Sequence, residues 1–375
     1  MLAAATRMYS VLKGQETRGN PQVQLDPMNF MIFHEFPPAD LEKAWRDGLT
    51  RVEVPSHYDA PEFFREPIWE GKSAFAVLAL DDGAVAGVLT GIHEGDQISG
   101  GLPSRPQIWV DSTKNADTTL DALARGLLME AGPAKLLSVY TWPSLPLDAF
   151  HRYGFRLRQL QGNVVLDLTQ GPEALFKQFS HQRRKNIRGA IKYGVEVTQA
   201  TTSEDVREAY DVYYNWYHKT TRKKLHGVET PFAVFARMHQ LTGNRRLFVA
   251  RHSGKIVACT AFRFYPHGLL EASENFSLEE FLHLRANDLV CWRAIEWACS
   301  EGFPCHSLGG SHRFHRNAGG SIVPVLRYRL DRTWLRRHDF GEAVRDRGRE
   351  AVRKLPPKLE TIVRQCVGRE IPEGW

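Results

Sequence analysis

Two stretches of the chain repeat the same alternation of apolar runs and turn residues. Phe75 to Ile92 reads FAVLALDDGAVAGVLTGI, two β-prone runs around Asp81-Asp82-Gly83, and predicts a hairpin. Leu247 to Phe264, LFVARHSGKIVACTAFRF, predicts another that turns at Ser253-Gly254. About 50 residues beyond each hairpin comes a helix that stops at a glycine and is followed by a strand. In the first copy Asp117 or Thr118 caps the helix, and Leu120, Leu123, Leu127 and Leu128 share one face. It stops at Gly132, ahead of a strand from Leu136 to Trp142. In the second copy Asn287 or Asp288 caps a helix that ends at Gly302, with Arg293, Glu296 and Ser300 as its only polar stripe. A helix apolar on nearly all sides is buried on nearly all sides. The hairpin glycines Gly83 and Gly254 are 171 positions apart and the stop glycines Gly132 and Gly302 are 170 apart. Solenoid repeats run about 20–50 residues, so a spacing this long reads as a duplicated domain.

Between the copies, Pro172 to Val197 reads PEALFKQFSHQRRKNIRGAIKYGVEV, helical in its first part and strongly basic in its second. Residues 331–375 carry a basic amphipathic helix broken at Pro356-Pro357. The predicted organisation is a lead-in (1–27), a first domain (28–170), a basic connecting helix (171–197), a second domain (198–332) and a basic helical tail (333–375). Composition narrows the class. The 375 residues are 42% hydrophobic and 25% charged, which excludes a disordered, collagen-like or disulfide-scaffold chain. The net charge of +6 permits an anionic ligand without implying a nucleic-acid coat, and no DNA partner is expected. Five Cys with no C-x-x-C pair fit reduced thiols in a cytoplasmic protein. With neither a signal-peptide core nor an apolar run of about 18 residues, a soluble protein without a transmembrane segment is expected. Oligomeric state is left open.

Leu147 to Phe155, LDAFHRYGF, resembles the late helix and strand start of the GNAT acetyltransferase superfamily, with Phe150 and Tyr153 ahead of Gly154-Phe155 and a closing strand at Asn163 to Leu168. SHQRRKNIRGAIKYGVEV is similar to the basic helix joining the two GNAT-like halves of Fem-type transferases and FemAB-like acyltransferases, the match falling on Arg184, Ile187, Arg188, Ala190, Gly194 and Val195. Trp216 to Lys224 and the helix from Asn287 to Gly302 occur where that family has similar elements. Phe314 to Gly320, FHRNAGG, resembles its Phe-Lys-x-x-Phe-Gly-Gly. The resemblance spans roughly residues 30–330. It implies a mixed α/β fold of two tandem GNAT-like acyl-CoA N-acyltransferase domains, and hence an acyltransferase. His315 stands at the family's donor-handling lysine and Ala318 at its second aromatic. Neither half shows the Arg/Gln-x-x-Gly-x-Gly/Ala phosphate loop. The loss of that lysine and the absence of a long heptad-like insertion favour acyl-CoA over aminoacyl-tRNA as the donor, a co-substrate rather than a permanently bound cofactor, whereas the missing phosphate loop counts against a standard coenzyme A cradle and toward a non-catalytic binding protein.

Acyl transfer to an amine needs a neutral nucleophile, an activated acyl group and oxyanion stabilisation, with no covalent enzyme intermediate. Arg184, Arg188 and Lys192 recur every four residues, a cationic stripe suited to an anionic substrate. Leu269 to Asn275, LLEASEN, is strand-like, and alternation puts Glu271 and Ser273 on one face and Ala272 on the other, so Glu271 is the candidate base. His315, with an intrinsic pKa near neutrality, is a candidate base or oxyanion donor. Ser311, Arg313 and Asn287 complete the substrate-binding candidates. The residues from Gly309 to Gly320 are expected to close one side of the acyl-transfer site. Gly309-Gly310-Ser311 is not a G-x-S-x-G elbow, because Arg313 replaces the second glycine. His306, His312 and His315 near Cys305 lack a metal motif, and no metal is expected. The expected acceptor is an amino group on an anionic metabolite, amino sugar or glycan or cell-envelope precursor. The alternative is a non-catalytic GNAT-like protein that binds a ligand or partner.

Overall fold

The computed structural model describes residues 28–219, 229–240 and 243–353. The predicted lead-in, the Trp216–Lys224 motif from residue 220 onward and the tail from residue 354, with Pro356-Pro357, lie outside the described residues. The first half comprises β1 (Asn29–Phe33), α1 (Ala39–Leu49), β2 (Ser73–Asp81), β3 (Ala84–Glu94), β4 (Gln97–Gly100), β5 (Ile108–Val110), α2 (Ala116–Ala131), β6 (Leu136–Thr141) and β7 (Arg156–Asp167). Next come α3 (Gly171–Gln178) and α4 (His181–Lys192). The second half opens with β8 (Glu196–Gln199), α5 (Ser203–His218), α6 (Phe232–Gln240) and β9 (Arg245–His252). It continues with β10 (Lys255–Phe264), β11 (Leu269–Ser277), α7 (Ala286–Ser300), β12 (Cys305–Ser307), β13 (Ser321–Asp331) and α8 (Arg337–Arg353).

Among the described residues the strands join in one sheet, ordered β1-β2-β3-β4-β6-β13-β7-β12-β11-β10-β9-β8, with β5 on β3. The order reads alike from either end until the centre, where the halves exchange their last strands. β13 of the second half pairs with β6 of the first, β7 of the first pairs with β12 of the second, and β7 and β13 pair with each other. Only β4–β6 and β11–β12 are parallel.

Both hairpins form as the pattern predicts. Their central residues have positive φ, Asp82 (48°) with Gly83 (81°) and Ser253 (50°) with Gly254 (81°), the mirror-image turn that suits twisted strands. Helices cover both faces. In the first half α2 buries Leu120, Leu123 and Leu127 on one side, while Trp45 and Leu49 of α1 pack on the other. In the second half α7 and α4 cover one face and α5 and α6 the other. Each large side chain buried in this way contributes about 1.5–3 kcal/mol. α7 is nearly enclosed, its exposed edge marked by the Arg293–Glu296 ion pair.

Two local expectations need correction. The connecting segment is two helices, because Phe179 (ψ 145°) leaves helical geometry and the Ser180 hydroxyl starts α4 by accepting from the Arg183 amide. The caps also differ. Asn115, not Asp117 or Thr118, caps α2, its side chain accepting from both of those residues' amides. α7 begins after Arg285, which has φ 60° and gives no side-chain cap, so Asn287 and Asp288 fall in the first turn. Among the described residues no helix is long and apolar enough to cross a membrane.

Candidate active site

The parallel strands β11 and β12 stay paired only from Leu269–Cys305 to Glu271–Ser307. β11 runs on to Ser277 bonded to β10 alone, and its register jumps from Phe262–Ala272 to Ala261–Glu274, leaving Ser273 as a bulge. Such a bulge bends the strand and re-aims its side chains. The sheet therefore splits beyond Glu271 and Ser307, and the sequence candidates lie around this split.

Arg183 organises one side of it. It is 4% exposed, lies over the rings of Phe179 (4.9 Å) and Phe314 (4.8 Å), and donates to the Phe314 carbonyl (3.3 Å). Its Nε is 3.5 Å from Asp288 Oδ1, and Asn186 bonds the other Asp288 oxygen at 2.7 Å. One guanidinium thus ties α4 to the start of α7 and to the Gly-rich loop. Arg183 was missed as a candidate, although it lies at helical spacing from Phe179, Ile187 and Ala190, on the apolar face. The predicted stripe faces elsewhere. Arg184 donates to the carbonyls of Lys177 (2.8 Å) and Phe179 (2.5 Å), closing the end of α3, and exposed Arg188 lies over Phe176 (5.6 Å).

The loop from Gly309 to Gly320 holds one helical turn, Arg313–Arg316, with His315 and His312 ring to ring at 3.7 Å. Burial, with the charges of His312 and Arg183 adding to it, pushes His315 down to about 3, so it is a neutral imidazole at pH 7. Of the two expected roles, base or oxyanion donor, a group this weakly basic suits hydrogen-bond donation better than proton abstraction. Ser311 is 2% exposed, with its hydroxyl unpartnered, and Arg316 rather than Arg313 braces it by donating to the Ser311 carbonyl (2.5 Å). Arg313 is exposed. Asn287 has a buried, unpartnered Oδ1 beside the uncapped start of α7. Ala318 fills the core, and Gly320 (φ 79°) lies so close to Val165 that a Cβ would stand 2.6 Å from its carbonyl oxygen.

Glu271 belongs to a different network. It is 2% exposed on an internal strand, and its Oε2 is 3.5 Å from Arg263 Nε. Around it the halves meet in a buried polar layer. Burial raises Asp59 to about 7 against the pull of bonds from Ser56, with the Glu271 charge adding to the rise. Glu66 bonds both His57 and Arg245 (2.5 Å to the latter). Burial opposes its charge, but Arg245 and His57 hold its carboxyl far below the usual range. The structure thus brings Arg183, Asp288, Ser311 and His315 together and attaches Glu271 to the layer between the halves. Among the described residues no cluster of three or more His, Cys, Asp and Glu side chains is arranged to hold a metal ion.

Residues 178–317 match the family model described as Acetyltransferase (GNAT) domain. No curated protein matches the chain. Solved structures share its fold at low identity. FemX is 12% identical with a TM-score of 0.58, covering 81% of this chain and 98% of its own. The tandem GNAT protein from the clavulanic acid biosynthesis pathway is 14% identical with a TM-score of 0.53, covering 82% and 99%. L-PGS from Bacillus licheniformis is 11% identical with a TM-score of 0.54, covering 80% and 93%. Residues 178–317 thus match a GNAT acetyltransferase domain, and the chain as a whole shares the fold of FemX and of the tandem GNAT protein.

Proposed function

We propose that the chain transfers an acyl group from an acyl-CoA donor to the amine of an anionic acceptor, such as an amino sugar or cell-envelope precursor, by direct attack. The observation that carries this reading is the end of β11–β12 pairing beyond Glu271 and Ser307, together with the uncapped start of α7 that follows β11. A helix start without a side-chain cap suits the phosphates of a nucleotide thioester. The corresponding start of α2 is closed by Asn115. This contrast favours the second half, the half matched by the GNAT model, as the donor-binding half. The tandem GNAT neighbour is described in relation to AcCoA, which supports the same donor class.

In this reading Glu271 takes the proton of the attacking amine, the tetrahedral oxyanion collapses, and the thiolate leaves. Neutral His315 and Ser311 supply hydrogen-bond donors, Asn287 contacts the donor, exposed Arg313 supplies positive charge, and buried Arg183 positions the loop that carries them. The test is thiol release from acetyl-CoA and longer acyl-CoAs with panels of amino sugars and amino acids as acceptors. Amine-dependent release that Glu271→Gln abolishes supports the proposal. Release with no amine dependence, or none with any donor while aminoacyl-tRNA supports transfer, overturns it.

A further inference from the structure

We propose that Arg105 and Arg263, one from each half, form a recognition site for an oxyanion of the acceptor, a carboxylate or phosphate placed within a few bonds of the reacting amine. The proposal rests on the acyl-transfer reading and names the acceptor's chemistry.

Both guanidiniums converge on Tyr58. Each donates through Nη1 to the same phenol oxygen at 3.1 Å, and their central carbons lie 5.5 Å (Arg105) and 4.9 Å (Arg263) from the ring centroid. Tyr58 is fully buried and Arg263 is 4% exposed. The Nε atoms of both arginines are buried and have no hydrogen-bond partner. Buried charged donors are normally satisfied, and a pair left open is a place for a ligand. Among the described residues no carboxylate is within ion-pair distance of Arg105, and Glu271 alone pairs with Arg263, at 3.5 Å without a hydrogen bond. Glu271 and buried Glu274 both act on Arg263, yet among the described residues neither arginine has a carboxylate hydrogen-bonded to it.

The site is also rigid. Arg105 closes a tight turn in which the Leu102 and Arg105 backbones exchange hydrogen bonds of 2.8 Å, and Asn163 on β7 donates to the Pro103 carbonyl at 3.3 Å. Arg263 sits on β10, in register between Arg245 and Glu271. Planar guanidiniums fixed in this way suit two oxygens of one anion. Because the proposed base, Glu271, is beside Arg263, the amine and the anion must be close together on the acceptor.

The test is thermal denaturation of the full chain with orthophosphate or succinate titrated against chloride at constant ionic strength. A saturable rise in melting temperature with either anion is expected, and which one acts distinguishes phosphate from carboxylate. Arg105→Gln is expected to weaken that response at least tenfold while its melting temperature without the anion equals or exceeds the parent's, since a like charge beside Arg263 is removed. Arg293→Gln, on the exposed edge of α7, is expected to respond as the parent does. No saturable response in the parent, an equal response in Arg105→Gln, or a lower anion-free melting temperature for that variant overturns the proposal. A coenzyme A titration separates the two readings: its loss in the parent counts against the donor assignment, whatever the anions do.

Discussion

Arg183 and His315 show how far a side chain's role departs from its residue type. Arg183 takes an apolar position and holds three elements together, so its truncation is expected to cost several times more stability than loss of exposed Arg188. Half-buried His315 is held in its neutral form at a pKa of about 3, against about 6.5 when unfolded. Between those values the unfolded chain binds the extra proton, so the His315 contribution is complete above pH 6.5 and is lost as pH falls toward 3. His306, pushed down to about 4 by burial, acts in the same sense. His315→Gln is expected to flatten the decline of melting temperature between pH 6.5 and 4, and an unchanged slope would show that the imidazole is not the titrating group. For catalysis, Glu271→Gln and His315→Gln are each expected to lower kcat more than tenfold with the fold retained. That corresponds to at least about 1.4 kcal/mol of transition-state stabilisation. Parental turnover in both variants would remove the catalytic assignment.

The helices that follow β5 and β11 differ at their starts while their ends match. α2 and α7 both stop at a glycine with positive φ, Gly132 (46°) and Gly302 (74°). Of the two, only α2 has a side-chain cap, from Asn115. Asn115→Ala is expected to cost about 1 kcal/mol, read as a lower denaturation midpoint at unchanged slope. Acyl-CoA binding should not change with it, because the proposed donor site is at α7. A donor affinity that falls with Asn115→Ala would move the donor to the first half.

Because β13 lies between β6 and β7, and β7 lies between β13 and β12, neither half completes its own sheet. The buried ion pair of Arg245 with Glu66 crosses the halves as well. Urea unfolding is expected to be one transition, with coincident midpoints for a probe in the first half, Trp109, and one in the second, Trp292. Two resolved midpoints would show that the halves are independent folding units. For the same reason, a chain ending before Ser321 is expected to lose the fold of both halves rather than of the second alone.

Hairpins, glycine stops and the enclosed α7 were legible in the sequence because turn geometry and burial pattern are local properties, carried by neighbouring residues. The candidate loop from Ser311 to His315 and the candidate base Glu271 could be named from the family resemblance and from strand alternation, which are also carried by neighbouring residues. Which charges turn inward could not. Arg183 and Arg184 are adjacent in sequence and about 100° apart around the helix; packing of the Ile187–Ala190 face against α7 buried the first and left the second to close α3. Strand exchange depends on pairing between residues 138 or more positions apart, and Arg263 meets Arg105 over Tyr58 from 205 positions beyond that tyrosine. Periodicity within a segment holds no record of its distant partner, so these features follow only from how the two halves fold against each other.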